Sequence, residues 1–160
     1  MNYIKDQKDL VGKIVLLRLD LNVPIKNGKI TDETRISKIL PVFKHLFEKK
    51  TKIIVISHLG RPKGERNADL TLKPICESLK KKLNKKVKLI TENIFELNKS
   101  NLFVNSEDEI LFLENIRFYK EEEKNDNNFS KHLASLGDIF VNDAFSCSHR
   151  THSSVSEITK

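Results

Sequence analysis

The heptad RLDLNVP, residues 18–24, follows the first apolar run of the chain and ends it in polar groups. Apolar residues alternate there with Arg18, Asp20 and Asn22, and this alternation places the three side chains on one side of an extended strand. Pro24 is predicted to end the strand, because proline has no N–H to donate to a ladder. Polar groups at the carboxyl end of a buried strand are typical of ligand sites in open α/β sheets, but a solvated edge strand explains the heptad equally well.

The length and composition of the chain indicate one domain, residues 1–160. With 38% hydrophobic and 32% charged residues, the composition is ordinary for a soluble protein that buries a core. No apolar run approaches the roughly 18 residues of a membrane helix, and the N-terminus lacks the apolar segment of a secretory signal. We therefore expect a cytoplasmic protein without a membrane partner, in which Cys76 and Cys147 are free thiols.

The formal net charge of +7 favours an anionic partner. Lysine is the usual cation, and its runs at residues 80–82 and 85–86 are typical of solvated helix faces rather than of a nucleic-acid groove. Only six arginines occur. The planar guanidinium can bind a carboxylate or phosphate through two hydrogen bonds, which lysine cannot do. The arginines are therefore the first candidates for specific contacts with an anion.

Five dense apolar runs predict strands, and helical patterns separate most of them. The predicted strands are residues 14–20, 52–57, 87–90, 109–113 and 138–141. The predicted helices are residues 32–47, 70–83 and 129–136. Thr31 or Asp32 is expected to cap the first helix, with Glu33 in its first turn, and the helix is expected to be kinked or divided at Pro41. The predicted loops are residues 58–64 and, as a charged surface segment, 120–128, whereas residues 94–105 have no clear pattern. The alternation predicts an α/β fold: a Rossmann-like parallel sheet with helices on both faces.

Polar side chains follow four of the five predicted strands. In a parallel sheet these positions meet at one edge, where Arg35, at the start of the first helix, is also expected. The residues are Asp20, Asn22, His58, Arg61, Asn115, Arg117, Asn142, Asp143, His149 and Arg150. They predict a basic cleft for a small molecule with more than one negative charge, in which each charge-assisted hydrogen bond contributes about 1.5–3 kcal/mol. Because Asp20 would repel an anion, we expect it to accept a hydrogen bond from a substrate hydroxyl.

For some of these side chains a structural role without a ligand explains the sequence equally well. Arg18 is expected to pair with a buried carboxylate rather than with a ligand. His58 can be a polar loop residue, and Arg117 can bridge to the acidic run 121–123.

Common cofactor motifs do not occur in the sequence. His149 and His152 are three residues apart, but no third ligand accompanies them, so we expect no metal site. Neither G-x-G-x-x-G nor G-x-x-x-x-G-K-[ST] is present, which argues against a nicotinamide-type Rossmann site and a P-loop in this chain.

The ordered motifs of the chain resemble those of phosphoglycerate kinases. The matching segments are residues 18–24, 30–36, 57–64, 113–118, 122–126, 141–145 and 149–150. The resemblance implies the N-terminal, glycerate-binding domain of an enzyme with two Rossmann-like domains, of which the second holds ATP or ADP with Mg²⁺. Such enzymes transfer a phosphoryl group between 1,3-bisphosphoglycerate and ADP, giving 3-phosphoglycerate and ATP in glycolysis.

The resemblance also implies roles for individual residues. Asp20 and Asn22, with Leu21 between them, are expected to hold the hydroxyl and carboxylate region of the glycerate. Arg35 is expected to be the catalytic arginine, which stabilises the transferring phosphoryl group. The groups expected to clasp the far phosphate, together with the backbone of Leu59 and Gly60, are His58, Arg61, Arg117 and Arg150. Phosphoryl transfer of this kind requires positioning and charge neutralisation rather than a covalent nucleophile.

The chain departs from the family pattern in length and at one loop. Family members are more than twice as long, so the resemblance implies that the residues that bind ATP, ADP and Mg²⁺ are not in this chain. It also implies that the domain lacks its last strand and helix. The chain is therefore expected to be inactive alone. Association through an open sheet edge is expected of this chain, whereas the full-length family member is expected to be a monomer. Ser146-Cys147-Ser148 stands where the family has Gly-Thr-Ala, so the backbone leading to Arg150 is expected to differ.

A function of another class is left open: a stand-alone basic module that binds RNA or another polyanion. Its support is the net charge and the lysine runs, whereas interleaved aromatics and known nucleic-acid motifs are lacking. Salt-dependent RNA binding that 3-phosphoglycerate does not affect would favour it. The partners we expect are 3-phosphoglycerate or 1,3-bisphosphoglycerate and the missing C-terminal domain, and no nucleic acid.

Overall fold

A parallel sheet is the frame of the molecule. The computed structural model describes residues 4–104, 107–147 and 149–160. Within these residues the strands are β1 (Ile14–Leu19), β2 (Ile25–Lys26), β3 (Lys29–Ile30), β4 (Lys52–Ile56), β5 (Val87–Ile90), β6 (Ile110–Leu113) and β7 (Ile139–Asp143). Five of them form one sheet of parallel pairs in the order β5-β6-β4-β1-β7, and β2 pairs with β3 in an antiparallel hairpin. The predicted Rossmann-like α/β sheet is confirmed.

The opening strand ends earlier than its sequence predicts. β1 pairs with the neighbouring strands as far as Leu19. The chain then turns, because the Leu21 N–H donates to Ser57 Oγ at 3.2 Å and the Val23 N–H donates back to the Leu21 carbonyl at 2.8 Å. The prediction that Pro24 ends the strand is therefore wrong. Asp20 and Asn22 consequently lie in a loop and not on one side of a strand, which leaves their side chains free to turn towards different neighbours.

The helices follow the predicted pattern with local changes. They are α1 (Thr34–Lys38), α2 (Leu40–Glu48), α3 (Lys73–Leu83), α4 (Lys99–Leu102), α5 (Lys120–Glu123) and α6 (Asn127–Ser135). Pro41 is the second residue of α2, where its missing N–H costs no helical hydrogen bond. The predicted division of the first helix at Pro41 is thus confirmed. Asp32 Oδ1 accepts from the Thr34 N–H at 2.8 Å just before α1, but the N-cap residue is Glu33, which makes no side-chain capping bond. The predicted cap at Thr31 or Asp32 is therefore wrong.

Apolar side chains cover both faces of the sheet. On one face Ile36, Phe43 and Ile75, from α1, α2 and α3, pack with alternate residues of the central strands. On the other face Phe129 and Leu133 of α6 pack with the remaining strand residues. Helices on both faces are therefore confirmed, and the carboxyl edge of the sheet is left to the loops.

The segment 120–128 is not the surface loop that its charges predict. It contains α5 and the first turn of α6, and Asp126 caps α6 by accepting from the Phe129 N–H at 2.8 Å. Glu122 is fully buried, at 0% exposure, and its carboxylate accepts hydrogen bonds from the backbone and hydroxyl of Ser154. The prediction fails because a run of acids predicts solvent exposure only if no distant segment supplies hydrogen bonds to one of them.

The last strand of the sheet differs in burial from its centre. All five residues of β7 are partly exposed, whereas β4 and β6 are almost wholly buried. An open strand edge can pair with another chain, and association through it stays a prediction. Among the described residues, no helix is long and apolar enough to span a membrane.

Candidate functional site

The predicted site residues meet where the order of the strands reverses. From β1 the chain crosses to β4 on one side, and it returns later to β7 on the other side. In open α/β sheets the crevice beside such a reversal is the usual ligand site. Asp20 lies directly after β1, His58 lies two residues after β4, and Asp143 ends β7. The loops that follow these strands thus supply the predicted polar groups to one edge.

Asp20 connects three segments of this edge. Its Oδ2 accepts hydrogen bonds from Arg35 Nη1 and from Ser146 Oγ, and its Oδ1 accepts from the Asn22 N–H at 3.3 Å. Burial by itself raises the pKa of Asp20, but the hydrogen bonds from Ser146 and Asn22 and the charge of Arg35 outweigh it and hold the pKa below its usual value. Asp20 is therefore an anion at neutral pH, and it can accept a further hydrogen bond.

Gly60 joins the opening loop to the loop after β6. Its N–H donates to Asn22 Oδ1 at 2.9 Å, and its carbonyl accepts from Arg117 Nη1 at 2.9 Å. The φ angle is +62°, and a Cβ at this position would lie 2.7 Å from Leu70 Cδ2. A side chain here would combine a left-handed backbone conformation with a close approach to the Leu70 side chain, and glycine avoids both. The position therefore favours glycine for structural reasons as well as for any ligand contact.

Two of the predicted residues have their side chains in the core. Leu21 and Leu59 are buried, at 0% and 4% exposure. The Leu59 N–H donates to Asn115 Oδ1 at 3.3 Å, and Asn115 Nδ2 donates to the Leu59 carbonyl at 2.8 Å. Leu21 and Leu59 consequently hold the loops to the sheet, and only their backbone atoms remain available near the site.

His58 is a buried titratable group of the site. It is 4% exposed, and its Nδ1 lies 3.0 Å from Arg18 Nη2. Burial and the charges of Arg18 and Arg117 lower the pKa of His58 from 6.5 to about 3, against an opposing effect of Asp20. His58 is therefore a neutral imidazole at physiological pH and not a cation.

The remaining arginines differ in how closely they join this group. Arg117 is 4% exposed and bonded to Gly60. Arg150 is partly buried, and its positive charge acts on His58. Arg61 is exposed and makes no hydrogen bond or ion pair with the described residues. The structure thus brings Arg117 and Arg150 towards His58, and it leaves Arg61 at the surface beside Gly60.

A network behind His58 was not found by sequence reasoning. The buried carboxylate predicted near Arg18 is Glu122, which Arg18 reaches through the Ser154 hydroxyl. Ser154 lies 136 residues from Arg18 in the chain, and no motif connects the two. A second missed residue, Ser146, reaches Asp20 from the segment that departs from the family pattern. Ser148 of that segment lies outside the described residues, as does the side chain of Cys147, so the expected free thiol is found at Cys76 alone, where it is buried.

A cavity of about 550 Å³ lies away from this group of residues. It is bounded by the β2–β3 hairpin and α3, including Gly28, Ile30, Pro74 and Ser78. None of the predicted site residues lines it. In the described part of the chain, no three His, Cys, Asp or Glu side chains come together in a way that could hold a metal ion.

Comparison with known proteins gives one consistent family. The phosphoglycerate kinase family model matches residues 4–160. The phosphoglycerate kinase of Wolbachia pipientis wMel is 54% identical over 152 residues, which are 95% of this chain and 38% of that protein. The corresponding protein of Dictyoglomus turgidum is 49% identical over 153 residues. This chain therefore spans about two fifths of the length of these relatives.

Solved structures agree with the sequence relatives. The phosphoglycerate kinase of Coxiella burnetii is 37% identical and superposes with a TM-score of 0.85, covering 97% of this chain and 38% of that one. The enzyme of Pyrococcus horikoshii is 30% identical with a TM-score of 0.79, covering 98% of this chain and 40% of that one. Both the order of the strands and the sequence motifs are shared with one family, and this chain belongs to the phosphoglycerate kinases.

Proposed function

We propose that this chain supplies the 3-phosphoglycerate site of a phosphoglycerate kinase, which transfers a phosphoryl group between 1,3-bisphosphoglycerate and ADP in glycolysis. The observation that carries the proposal is the continuous set of hydrogen bonds that joins Asp20, Asn22, Gly60 and Arg117 at the strand reversal, with Arg35 bonded to Asp20. A carboxylate that is paired with one arginine and linked through Asn22 and Gly60 to a second suits a ligand that carries a hydroxyl between two anionic groups.

Each part of the site has a physical role in this proposal. Asp20 accepts the glycerate hydroxyl, and Asn22 fixes the loop beside the carboxylate. His58, Arg117, Arg150 and the exposed Arg61 surround the far phosphate, with backbone groups of residues 59–60.

Arg35 would act at the other end of the substrate. Its side chain is 50% exposed, and among the described residues Asp20 is its one direct polar partner, so Arg35 is held weakly, as in a surface ion pair. It can turn towards the transferring phosphoryl group and neutralise the charge that develops there. In this proposal the Arg35 side chain leaves Asp20 and binds the substrate instead.

We propose no site for the nucleotide or Mg²⁺ among the residues of this chain. The sequence has no phosphate-binding glycine motif, and the described residues offer no group of metal ligands. We propose that ATP or ADP and Mg²⁺ bind to a second domain, in the part of the relatives that this chain does not span. That domain would be the partner of this chain in a cytoplasmic, monomeric enzyme. We also propose that the chain alone has no kinase activity.

Calorimetric titration with 3-phosphoglycerate tests the proposal. The wild type is compared with Arg35→Ala and Arg61→Ala, and with Arg66→Ala as the matched control, because Arg66 is exposed and bonded to the Thr91 carbonyl outside the site. We expect weak binding by the wild type and the control, and a loss of about tenfold or more in each site variant. Equal binding by all four proteins, or none by the folded wild type, would contradict the proposal. Binding of RNA that 3-phosphoglycerate does not displace would favour the polyanion-binding alternative.

A further inference from the structure

Arg18 lies between the candidate site and the end of the described chain. Its side chain is 1% exposed. The Nε atom donates to Ser154 Oγ at 3.0 Å, and Nη2 lies 3.0 Å from His58 Nδ1. A guanidinium in this position touches the site on one side and a buried polar network on the other.

The hydrogen bonds of this network have one consistent direction. A guanidinium is a donor only and keeps its charge in proteins, so His58 Nδ1 must accept from Arg18. Ser154 Oγ accepts from Arg18 and donates its own proton to Glu122 Oε1, at 2.6 Å. The Ser154 N–H donates to Glu122 Oε2 at 2.9 Å. Each donor is matched to an acceptor from Glu122 through Ser154 and Arg18 to His58.

The state of His58 follows from the nitrogen that accepts. An imidazole whose Nδ1 accepts a hydrogen bond carries its proton on Nε2, and a doubly protonated ring could not accept at all. We infer that Arg18, held by Ser154 and Glu122, is a positioning residue that fixes His58 as a neutral ring with its one proton on Nε2. The inference rests on the proposed function for one clause only: that the Nε2–H then donates to the substrate phosphate.

The surrounding charges support the same state. The charges of Arg18, Arg117 and Arg150 disfavour a second proton on His58, and the charge of Asp20 favours one but is outweighed. The buried position acts in the same direction as the arginines. His58 therefore contributes a directed N–H donor and adds no charge to a group of arginines that would repel it. Its contribution to anion binding is expected to be independent of pH between about 5 and 8.

Nitrogen NMR of the unliganded protein tests the state of the ring. With ¹⁵N-labelled histidine, long-range ¹H–¹⁵N correlations distinguish a protonated from an unprotonated ring nitrogen, and His58→Gln identifies the His58 signals by their loss. We expect a protonated Nε2 and an unprotonated Nδ1 that stay constant between about pH 5 and 8. A proton on Nδ1, or a titration within this range, would overturn the inference.

Two neighbouring serines provide a matched pair for the positioning role. Ser154→Ala removes the hydroxyl between Arg18 and Glu122, whereas Ser153→Ala removes an equally buried hydroxyl that bonds the Glu121 carbonyl instead. We expect Ser154→Ala to change the His58 nitrogen shifts and to weaken 3-phosphoglycerate binding about tenfold, because a buried donor and acceptor lose their partner. We expect Ser153→Ala to leave both readouts as in the wild type.

The NMR measurement and the binding measurement can contradict the inference and the proposed function independently of each other. If Ser154→Ala leaves the His58 shifts unchanged, the positioning role of the network is wrong, and if it fails to fold, the wild-type spectrum still decides the state of the ring. A wild type with the expected spectrum that does not bind 3-phosphoglycerate overturns the proposed function and leaves the assignment of His58 standing.

Discussion

The candidate site has a buried half and an exposed half, and they are held by different forces. The buried half is Arg18, His58 and Arg117, each at most 4% exposed. The exposed half is Asn22, Arg35 and Arg61, together with Asp20, which is partly buried but paired with Arg35. In the buried half, hydrogen bonds fix the orientation of the side chains and, by the inference drawn above, the protonation of His58. In the exposed half, the side chains of Asn22 and Arg35 make one hydrogen bond each and Arg61 makes none with the described residues, which leaves these side chains able to move. Under the proposed function, the buried half recognises a phosphate in a fixed geometry, and the exposed half neutralises charge that changes during the reaction.

Removing Arg18 is expected to have the largest effect on stability. Arg18→Met leaves Glu122 and His58 buried without the guanidinium that connects them, and breaking a buried network of this kind costs about 3–5 kcal/mol. Urea denaturation of the variant and the wild type measures the difference. A loss below about 1 kcal/mol would mean that the buried half is no more tightly held than a surface ion pair.

The pH dependence of stability is expected to come next in size. The pKa of His58 is lowered from 6.5 to about 3 in the folded protein, so the unfolded chain takes up a proton below pH 6.5 that the folded chain does not. The contribution of His58 to the free energy of unfolding is complete above pH 6.5, and it is lost as the pH falls from 6.5 towards 3. Between pH 7 and pH 4.5 we expect the stability of the wild type, relative to His58→Gln, to fall by about 1–3 kcal/mol.

The same measurement separates the two halves. The pKa of Asp20 is lowered from 3.8, so its contribution is present above pH 3.8 and is lost only in stronger acid. Asp20→Asn should therefore follow the wild type in its dependence on pH from 7 to 4.5. Burial raises the pKa of Glu122. Because Glu122 is present in every protein compared, its effect on the pH dependence cancels. A His58→Gln protein with the same pH dependence as the wild type would contradict this account.

Removing Arg35 is expected to have the smallest effect on stability and a large effect on binding. Its ion pair with Asp20 is half exposed, and such a pair contributes about 0–1 kcal/mol. Arg35→Ala should therefore unfold within about 1 kcal/mol of the wild type, while its affinity for 3-phosphoglycerate falls about tenfold or more. Denaturation and calorimetry on one preparation measure both quantities. A large loss of stability without a loss of affinity would reverse the roles assigned to the two halves.

The exposed half could be predicted from the sequence better than the buried half. Asp20, Asn22 and Arg35 follow predicted elements, and parallel strands bring such positions to one edge regardless of detail. The division of the first helix near Pro41 could likewise be predicted from neighbouring residues alone. By contrast, Ser154 and Glu122 meet Arg18 only after the whole sheet has formed, and the acidic run around Glu122 suggests solvent exposure. Hydrogen bonds between segments more than a hundred residues apart leave no periodic signal along the chain.

The end of β1 shows the same limit at short range. Pro24 is a strong local signal, but the strand ends at Leu19 because Ser57, on the neighbouring strand's carboxyl side, binds the Leu21 N–H. A partner from another strand thus overrides a residue that would otherwise decide the boundary. The residues nearest the site are those where local rules fail, as expected where loops are shaped for contacts outside their own segment.

One titration tests the central claim that His58 meets the substrate as a fixed, neutral donor. 3-Phosphoglycerate is added to the protein labelled with ¹⁵N-histidine, and the ring nitrogens are followed to saturation. We predict that the Nε2 signal of His58 shifts while Nε2 keeps its proton, and that the signals of His132, whose Nε2 lies 2.7 Å from the Ile94 carbonyl outside the site, do not move. A His58 signal that stays in place at saturation, or a His58 that gains a second proton on binding, would contradict the account.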